Sequence, residues 1–306
     1  MKYHFIILCI LSSISGYTQN YIDIIHTENT NTPQNEFKNQ PNSSDSISSK
    51  LKKIHVNLTL PIPLKNQNTL ITGIVYDRIN TRFTENSTSI PVSSIILKTG
   101  INVSYSDKWS ALYILLPKIA SSFENKITRS DFQIGGLGIA KKKKNDFLSY
   151  KFGAYFNGDL FGPFLVPLFG FYYKKDNWEM DIIIPSYAKI NYNLSSKVTT
   201  GINWRATVKS YHLNNSNITT HQNSLYMHHL SNEVGVHLSY EPIKGVIIRA
   251  ISGVSLGRSF RVYENGDKID FGLSLFRFGD NRNQLNSDFK NGQFYRLELC
   301  YRIYLN

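Results

Sequence analysis

The chain has 306 residues, with 34 Lys and Arg against 22 Asp and Glu, a formal net charge of +12, and 13 % aromatic residues. Only two cysteines occur, which excludes metal motifs built on paired cysteines, and an internal disulfide too if Cys9 is removed with an export signal. After the N-terminal stretch no apolar run approaches the ~18 residues of a spanning helix, so any membrane crossing must be made by strands.

Met1 to Thr18 reads as a secretory signal. Lys2 supplies the positive n-region, Phe5 to Ile14 the apolar stretch, and Gly16-Tyr17-Thr18 the small residues before a cleavage site at Gln19. Cys9 lies inside the apolar stretch, too early for a lipid attachment box. Export takes the chain away from nucleic acid, which is not an expected partner for the positive charge, and leaves anionic outer-membrane lipid and lipopolysaccharide as the nearer one.

Residues 19–50 are rich in Asn, Ser, Thr, Gln and Pro. Such a composition buries too little apolar surface to offset ordering, so the segment is expected to be a mobile periplasmic arm, with a plug inside a barrel as the alternative.

Residues 51–306 carry recurrent period-two patterns. Ile54, Val56, Leu58, Leu60 and Ile62 alternate with His55, Asn57 and Thr59, and Ile95, Leu97, Ile101, Val103 and Tyr105 flank Lys98 and Asn102. Further on, Val198, Ile202, Trp204, Ala206 and Val208 oppose Thr199, Asn203, Arg205 and Lys209, while Val234, Val236, Leu238 and Tyr240 oppose Glu233, His237 and Ser239. The chain closes with Tyr295, Leu297, Leu299, Tyr301, Ile303 and Leu305 set against Arg296, Glu298 and Arg302. Eight less regular strands are expected near 70–79, 109–120, 131–140, 147–157, 164–173, 177–194, 245–257 and 268–278.

Tight connections at 65–68, 106–108, 174–177 and 241–245 tend to alternate with long polar ones at 80–91, 121–130, 211–223 and 280–292. In hydrocarbon only a helix or a closed barrel satisfies its own backbone, so the expected fold is all-β: a closed antiparallel transmembrane β-barrel of about 12 strands, within a range of 12–14. Tyr and Phe, 19 and 18 in number, suit aromatic girdles at the two bilayer interfaces. Pro61, Pro117, Pro167 and Pro185 interrupt apolar stretches and are expected at strand ends or kinks.

Several segments resemble a family of uncharacterised outer-membrane β-barrel proteins of Gram-negative bacteria, catalogued as a domain of unknown function. They are Lys108-Trp109-Ser110, Leu115 to Ala120, Asp131 to Gly136, and above all Gly162 to Tyr173 and Gly257 to Tyr263, followed by Lys268 to Gly272 and Phe278 to Asp280. The resemblance spans roughly residues 53–304. It implies an outer-membrane barrel, delivered by barrel-insertion machinery, and it carries no catalytic residues.

If the strands keep their faces, Lys98, Lys151, Arg205, Lys209, Arg249, Arg296 and Arg302 line the lumen together with Glu179, Asp181, Glu233, His237, Asp270 and Glu298. Such a lining either favours anionic solutes or pairs across the lumen and fills it. His212, His221, His228 and His229 cluster around a loop with Ser210, Ser216 and Asn223, the residue types of a lipid hydrolase, yet no serine sits in a nucleophile elbow. His228 and His229 are adjacent, so a strand sends them to opposite faces, which disfavours a shared metal. The lysines at 141–144 read as a solvated turn, and Gly135-Gly136-Leu137-Gly138 as a point where a strand bends.

The expected function is therefore non-enzymatic: a passive pore or channel for small solutes or lipids in the cell outer membrane, without cofactor or metal. The alternatives are an outer-membrane lipid hydrolase and a non-conducting structural or adhesin barrel.

Overall fold

In the computed structural model, residues 21–37, 48–82, 89–214 and 224–304 are described. The expected signal segment, His221, Ser216 and Asn223 lie outside them. Among the described residues the strands are β1 (Tyr21–Glu36), β2 (Ser48–Pro63), β3 (Thr69–Thr81), β4 (Ile90–Ser104), β5 (Trp109–Ser121), β6 (Phe132–Lys143), β7 (Leu148–Asp159) and β8 (Gly162–Lys175). They continue with β9 (Trp178–Ile184), β10 (Tyr187–Asn193), β11 (Val198–Leu213), β12 (Leu225–Ile243), β13 (Val246–Glu264), β14 (Phe271–Leu273), β15 (Phe276–Phe278) and β16 (Gly292–Tyr304). No described helix is long and apolar enough to cross a membrane.

Strands β1 to β13 pair in sequence order, β13 pairs with β16, and β16 pairs back onto β1. The sheet is therefore a closed antiparallel barrel of fourteen wall strands, and β14 and β15 form a hairpin outside that count. The expectation of about twelve is corrected at three places.

First, the stretch expected as a mobile arm contains β1, which bonds to β16 from Tyr21 to Asn31 and to β2 from Ile25 to Glu36. It was illegible because Thr27, Asn29 and Asn31 face away from the interior and Glu28, Thr30 and Thr32 face into it, so neither side is apolar. The backbone is nonetheless satisfied by a neighbour on each edge. Second, the stretch 177–194 is two strands joined at Pro185-Ser186. Third, 268–278 is not part of the wall but makes the β14–β15 hairpin.

Side chains alternate about the wall as the pleat requires. Leu58, Leu97, Leu115, Ile202, Val236, Leu238, Leu297 and Leu299 point outward and stay exposed, a continuous apolar band that would be a liability in water and is at home in lipid. At the rim of the tight turns the outward residues become aromatic: Tyr105, Trp109, Phe147, Tyr150, Trp178, Tyr240 and Tyr301. Tyr21 and Tyr304 are register partners at that same rim. The seam between β1 and β16 is tied there by Arg302, which donates to Asp23 (2.6 Å) and lies 3.3 Å from the Tyr21 ring centre.

The opposite rim is built differently. β9 and β10 have seven residues each, against fourteen in β8 and sixteen in β11. Register pairing of β8 with β9 ends at Phe169–Ile184, and that of β10 with β11 at Tyr187–Arg205. Paired with β7 on one edge, Gly162 to Leu168 thus runs on without a wall neighbour on the β9 side, about 20 Å of strand at the usual rise. β14 lies alongside that free stretch instead, with Gly272 opposite Phe164 and the Ser274 N–H donating to the Leu165 carbonyl (2.9 Å).

Two of the four prolines singled out above fit this edge. Leu165 bonds toward the hairpin, so residues 163 and 167, of the same parity, present their backbone nitrogens to the open side, and both are proline. Pro185 sits in the turn between the two short strands.

The far end of β11 leans across to β5, where His212 pairs with Ser121. The inward faces of β11 and its neighbour β12 at this end, with Tyr211 and Leu213 and with Leu225 and Met227, pack with Phe37, Leu51, Val92, Val262 and Phe289 into an apolar cap over the interior. Their other face, with Val208 and Tyr226, is covered by Phe161, Phe164, Val166 and Leu168.

Candidate lumen site

Alternation places a belt of charge inside the barrel, below the apolar cap. Arg205 of β11 donates two bonds of 2.8 Å to Glu28 of β1, and Lys209 donates to Asp77 of β3 (2.6 Å). Lys53 of β2 reaches Glu233 of β12 (2.7 Å), and Arg296 of β16 binds both Glu233 and, at 3.3 Å, Glu28. Arg249 pairs with Glu298 (2.7 Å). β3 and β11 are nearly opposite in the fourteen-strand ring, so several of these bonds run across the lumen rather than along its wall.

Glu28 and Glu233 are 5 % exposed and Glu298 is 2 % exposed, so the belt is filled by side chains. Charges that deep are tolerable only because each carboxylate meets one or more cations at bonding distance.

On the cap side of the belt lies a cavity of about 940 Å³, lined by Glu28, Lys53, His55, Asp77, Arg205 and Lys209 on one flank and by Phe161, Phe164, Val166, Pro185 and Leu275 on the other. On the tight-turn side is a smaller space of about 470 Å³, bordered by Tyr21, Glu179, Arg249, Arg302 and Tyr304.

The residues expected in the lumen divide accordingly. Arg205, Lys209, Glu233, Arg249, Arg296 and Glu298 meet in the belt, and Arg302 stands nearer the tight-turn rim. Lys151 pairs with Asp181 (2.6 Å), and Glu179 accepts from the Tyr172 hydroxyl (3.0 Å). Lys98 has a neutral setting, donating to Asn57 Oδ1 (2.6 Å) and to Thr59. His237 is buried beneath Gly201, where an added Cβ would come within 2.7 Å of the imidazole.

Asp270 does not belong to this set. It is an exposed loop residue next to Gly279, because 268–278 is not a wall strand. Sequence reasoning missed Glu28, which lay in the supposed arm, and the pairing roles of Lys53 and Asp77. Lys53 continues the polar face of the 54–62 strand by two positions from His55, which was a usable signal.

The model of a domain of unknown function, DUF6268, matches residues 16–272. The chain belongs to the DUF6268 family. No curated protein matches it. Solved structures similar to this DUF6268 chain include the COG4313 outer membrane channel from Pseudomonas putida F1, at 8 % identity, TM-score 0.45, with 92 % of this chain and 95 % of that one covered. The P. putida toluene transporter TodX gives 8 % identity and TM-score 0.41, covering 97 % and 93 %. The translocator domain of the autotransporter NalP from Neisseria meningitidis gives 13 % and 0.36, covering 98 % and 95 %.

Two further constellations occur in this DUF6268 barrel. His26, Glu28 and His55 hold possible ligand atoms within 4.8 Å of one another. Glu28 is already engaged by Arg205 and Arg296, and His55 by Asp77 (2.8 Å), so a cation would have to displace those bonds.

Near the opposite rim His212 Nδ1 lies 2.8 Å from Asp131 and its Nε2 meets the Ser224 hydroxyl, while the Thr128 N–H donates to Asp131. Of the residues expected to form a hydrolase that are among those described, only His212 takes part. Ser210 is buried against Gln133, and His228 and His229 lie on opposite faces of β12. Asp131 and Ser224 are remote from His212 in sequence or in an unpatterned position, and only the fold assembles them.

Proposed function

We propose that this protein is a non-enzymatic channel of the outer membrane, serving small solutes or lipids, with the tight-turn rim in the periplasm and the opposite rim outside. The observation that supports this most is the cavity of about 940 Å³ inside the wall, bounded by the charged belt on one side and the apolar cap on the other. A barrel serving only as a scaffold has no need to keep such a space unfilled, since close packing there would stabilise it. The apolar outer band supports residence in lipid. Lipid and lipopolysaccharide are the surrounding partners in this reading, and insertion machinery delivers the chain.

Purified protein in vesicles tests it. The expected result is uptake of small amphiphilic solutes above that of protein-free vesicles. Vesicles that stay as tight as the blank would favour the non-conducting structural or adhesin barrel.

The Asp131–His212–Ser224 chain of hydrogen bonds favours a second reading, ester hydrolysis at the outer rim, since that order of groups is the one used to activate a serine. It predicts labelling by a serine-reactive fluorophosphonate that Ser224→Ala abolishes. No labelling of the native protein would remove it.

A further inference from the structure

The geometry points to a side opening in the wall, between the free edge of β11 and the β14–β15 hairpin, through which an acidic amphiphile passes between the internal cavity and the outer leaflet. This rests on the channel reading above and names its route and its substrate class: one apolar chain carrying one acidic head.

The first observation is the missing wall. β9 and β10 stop at Ile184 and Tyr187, and the Ala206 N–H to the Ser186 carbonyl (2.9 Å) is the last backbone bond that β11 makes on that side before it reaches β5. The hairpin occupies the place above the two short strands but, among the described residues, pairs outside itself only with β8. β15 ends the sheet, with no strand pairing on its second edge among the described residues. A seam without a backbone ladder between two strands at lipid depth is the weakest line in the barrel, because everywhere else neighbouring strands are held by their ladder bonds.

The second observation is what the hairpin shows to its surroundings. Leu275 is 87 % exposed, Phe276 67 % and Phe278 52 %, and Ile184 and Phe169, the last pair of the β8–β9 ladder, are exposed too. Three large apolar side chains on one small hairpin are stable against acyl chains and costly against water.

The third is the lining. Pro185, Ser186, Val208, Ser274 and Leu275 border the same cavity as the belt residues Glu28 and Arg205, so the space inside the barrel extends to the seam. Phe161, Phe164 and Val166 give it an apolar flank.

The fourth concerns the head group. His228 borders the cavity, is 1 % exposed, and neither of its ring nitrogens has a hydrogen-bond partner. A buried imidazole in that state costs stability unless something else meets it. Arg277 borders this end of the cavity, Arg261 is the register partner of His228 and Arg282 lies over Phe161, which packs on His228; among the described residues these three guanidinium groups form ion pairs with two carboxylates, Asp288 and Asp280, leaving one positive charge in surplus. A carboxylate satisfies both the surplus and a ring N–H of His228, whereas an ammonium satisfies neither. A neutral alcohol offers one bond and no charge.

The test ties the hairpin to the free edge of β11. Val208 of β11 and Leu275 of the hairpin border the cavity from the two sides of the seam. Val208→Cys/Leu275→Cys, made in a Cys300→Ala background, is reconstituted into vesicles and joined with a short bifunctional thiol crosslinker that reduction cleaves, and uptake of dodecanoate, dodecanol and dodecylammonium is followed with the seam stapled and then released.

The expected result is dodecanoate uptake that falls at least about tenfold when the seam is stapled and returns on reduction, with the carboxylate preferred over the amine. Because the same molecules are compared in both states, a folding defect cannot mimic it. Equal dodecanoate uptake in the two states overturns the side opening while leaving a channel, and preference for the amine overturns the head-group assignment. If even unstapled wild-type protein takes up none of the three, the channel reading fails and the opening with it.

Discussion

Replacing Glu233 by Ala is expected to destabilise the barrel by about 3–5 kcal/mol, the cost of removing one partner of a buried ion pair. Glu233 is the acceptor for both Lys53 (2.7 Å) and Arg296, and the Arg296 side chain is 3 % exposed. Without the carboxylate, two cations would stay in the interior with one counter-ion fewer between them. Arg296 would keep Glu28 at 3.3 Å and the Thr30 hydroxyl at 2.8 Å, whereas Lys53 would lose its carboxylate. The check is the urea midpoint of protein folded in lipid vesicles. Lys53→Met combined with Glu233→Leu should recover much of the loss, since an apolar pair of similar volume replaces a buried ion pair at little cost. A midpoint for Glu233→Ala equal to that of the wild type would mean that water reaches the belt.

The second large effect is on conduction. Arg205 and Lys209 project from β11 to Glu28 and Asp77 on the far wall, and these are the bonds that bridge the lumen. In planar bilayers the wild type should be silent or nearly so at moderate voltage, because the belt is filled. Arg205→Ala/Lys209→Ala should give unitary current steps, and the steps should favour cations, since Glu28 and Asp77 then face the opened space with fewer cations around them. An outward change on the same strand, Ile202→Ala, should leave the trace unchanged. Silence of the double variant, with its barrel intact by heat-modifiable migration, would place the closure elsewhere, in the apolar cap of Tyr211, Met227 and Phe289.

How far the sequence carries the fold depended on which side of a strand meets lipid. The 54–62 stretch was readable because Ile54, Leu58, Leu60 and Ile62 all sit in the outward band and Asn57 and Thr59 face inward. The closing strand from Tyr295 to Ile303 was readable for the same reason. β1 was not, because its outward Thr27, Asn29 and Asn31 are polar and its inward Glu28 is held by an ion pair with Arg205, on a strand remote in sequence. Composition alone marks such a segment as unable to fold, and only the partners on β2 and β16 reverse that. The stretch 268–278 had a strand's composition and became one, but as a hairpin outside the ring, since nothing local distinguishes a wall strand from one that covers a gap.

The belt was half legible. Alternation put Arg205, Lys209, Glu233, Arg249, Arg296 and Glu298 on the inner face, but which charge meets which is set by the order of strands around the ring and by their shear. Arg205 and Glu28 are 177 residues apart, a separation no local pattern encodes. Asp270 was misplaced together with its strand. The short β9 and β10, which open the wall, were visible only as an irregularity around Pro185, where two short connections follow one another.

The lumen, the belt and the opening beside β11 all presuppose that β1 completes the ring against β16. Thr27 and Leu299 are register partners on that seam. Thr27→Cys/Leu299→Cys in a Cys300→Ala background, treated with a short bifunctional thiol crosslinker after folding into vesicles, should join the two ends of the chain and shift its migration after denaturation. If the two cysteines do not crosslink while each remains reactive to a monofunctional reagent, the ends are not neighbours and the closed fourteen-strand barrel is wrong.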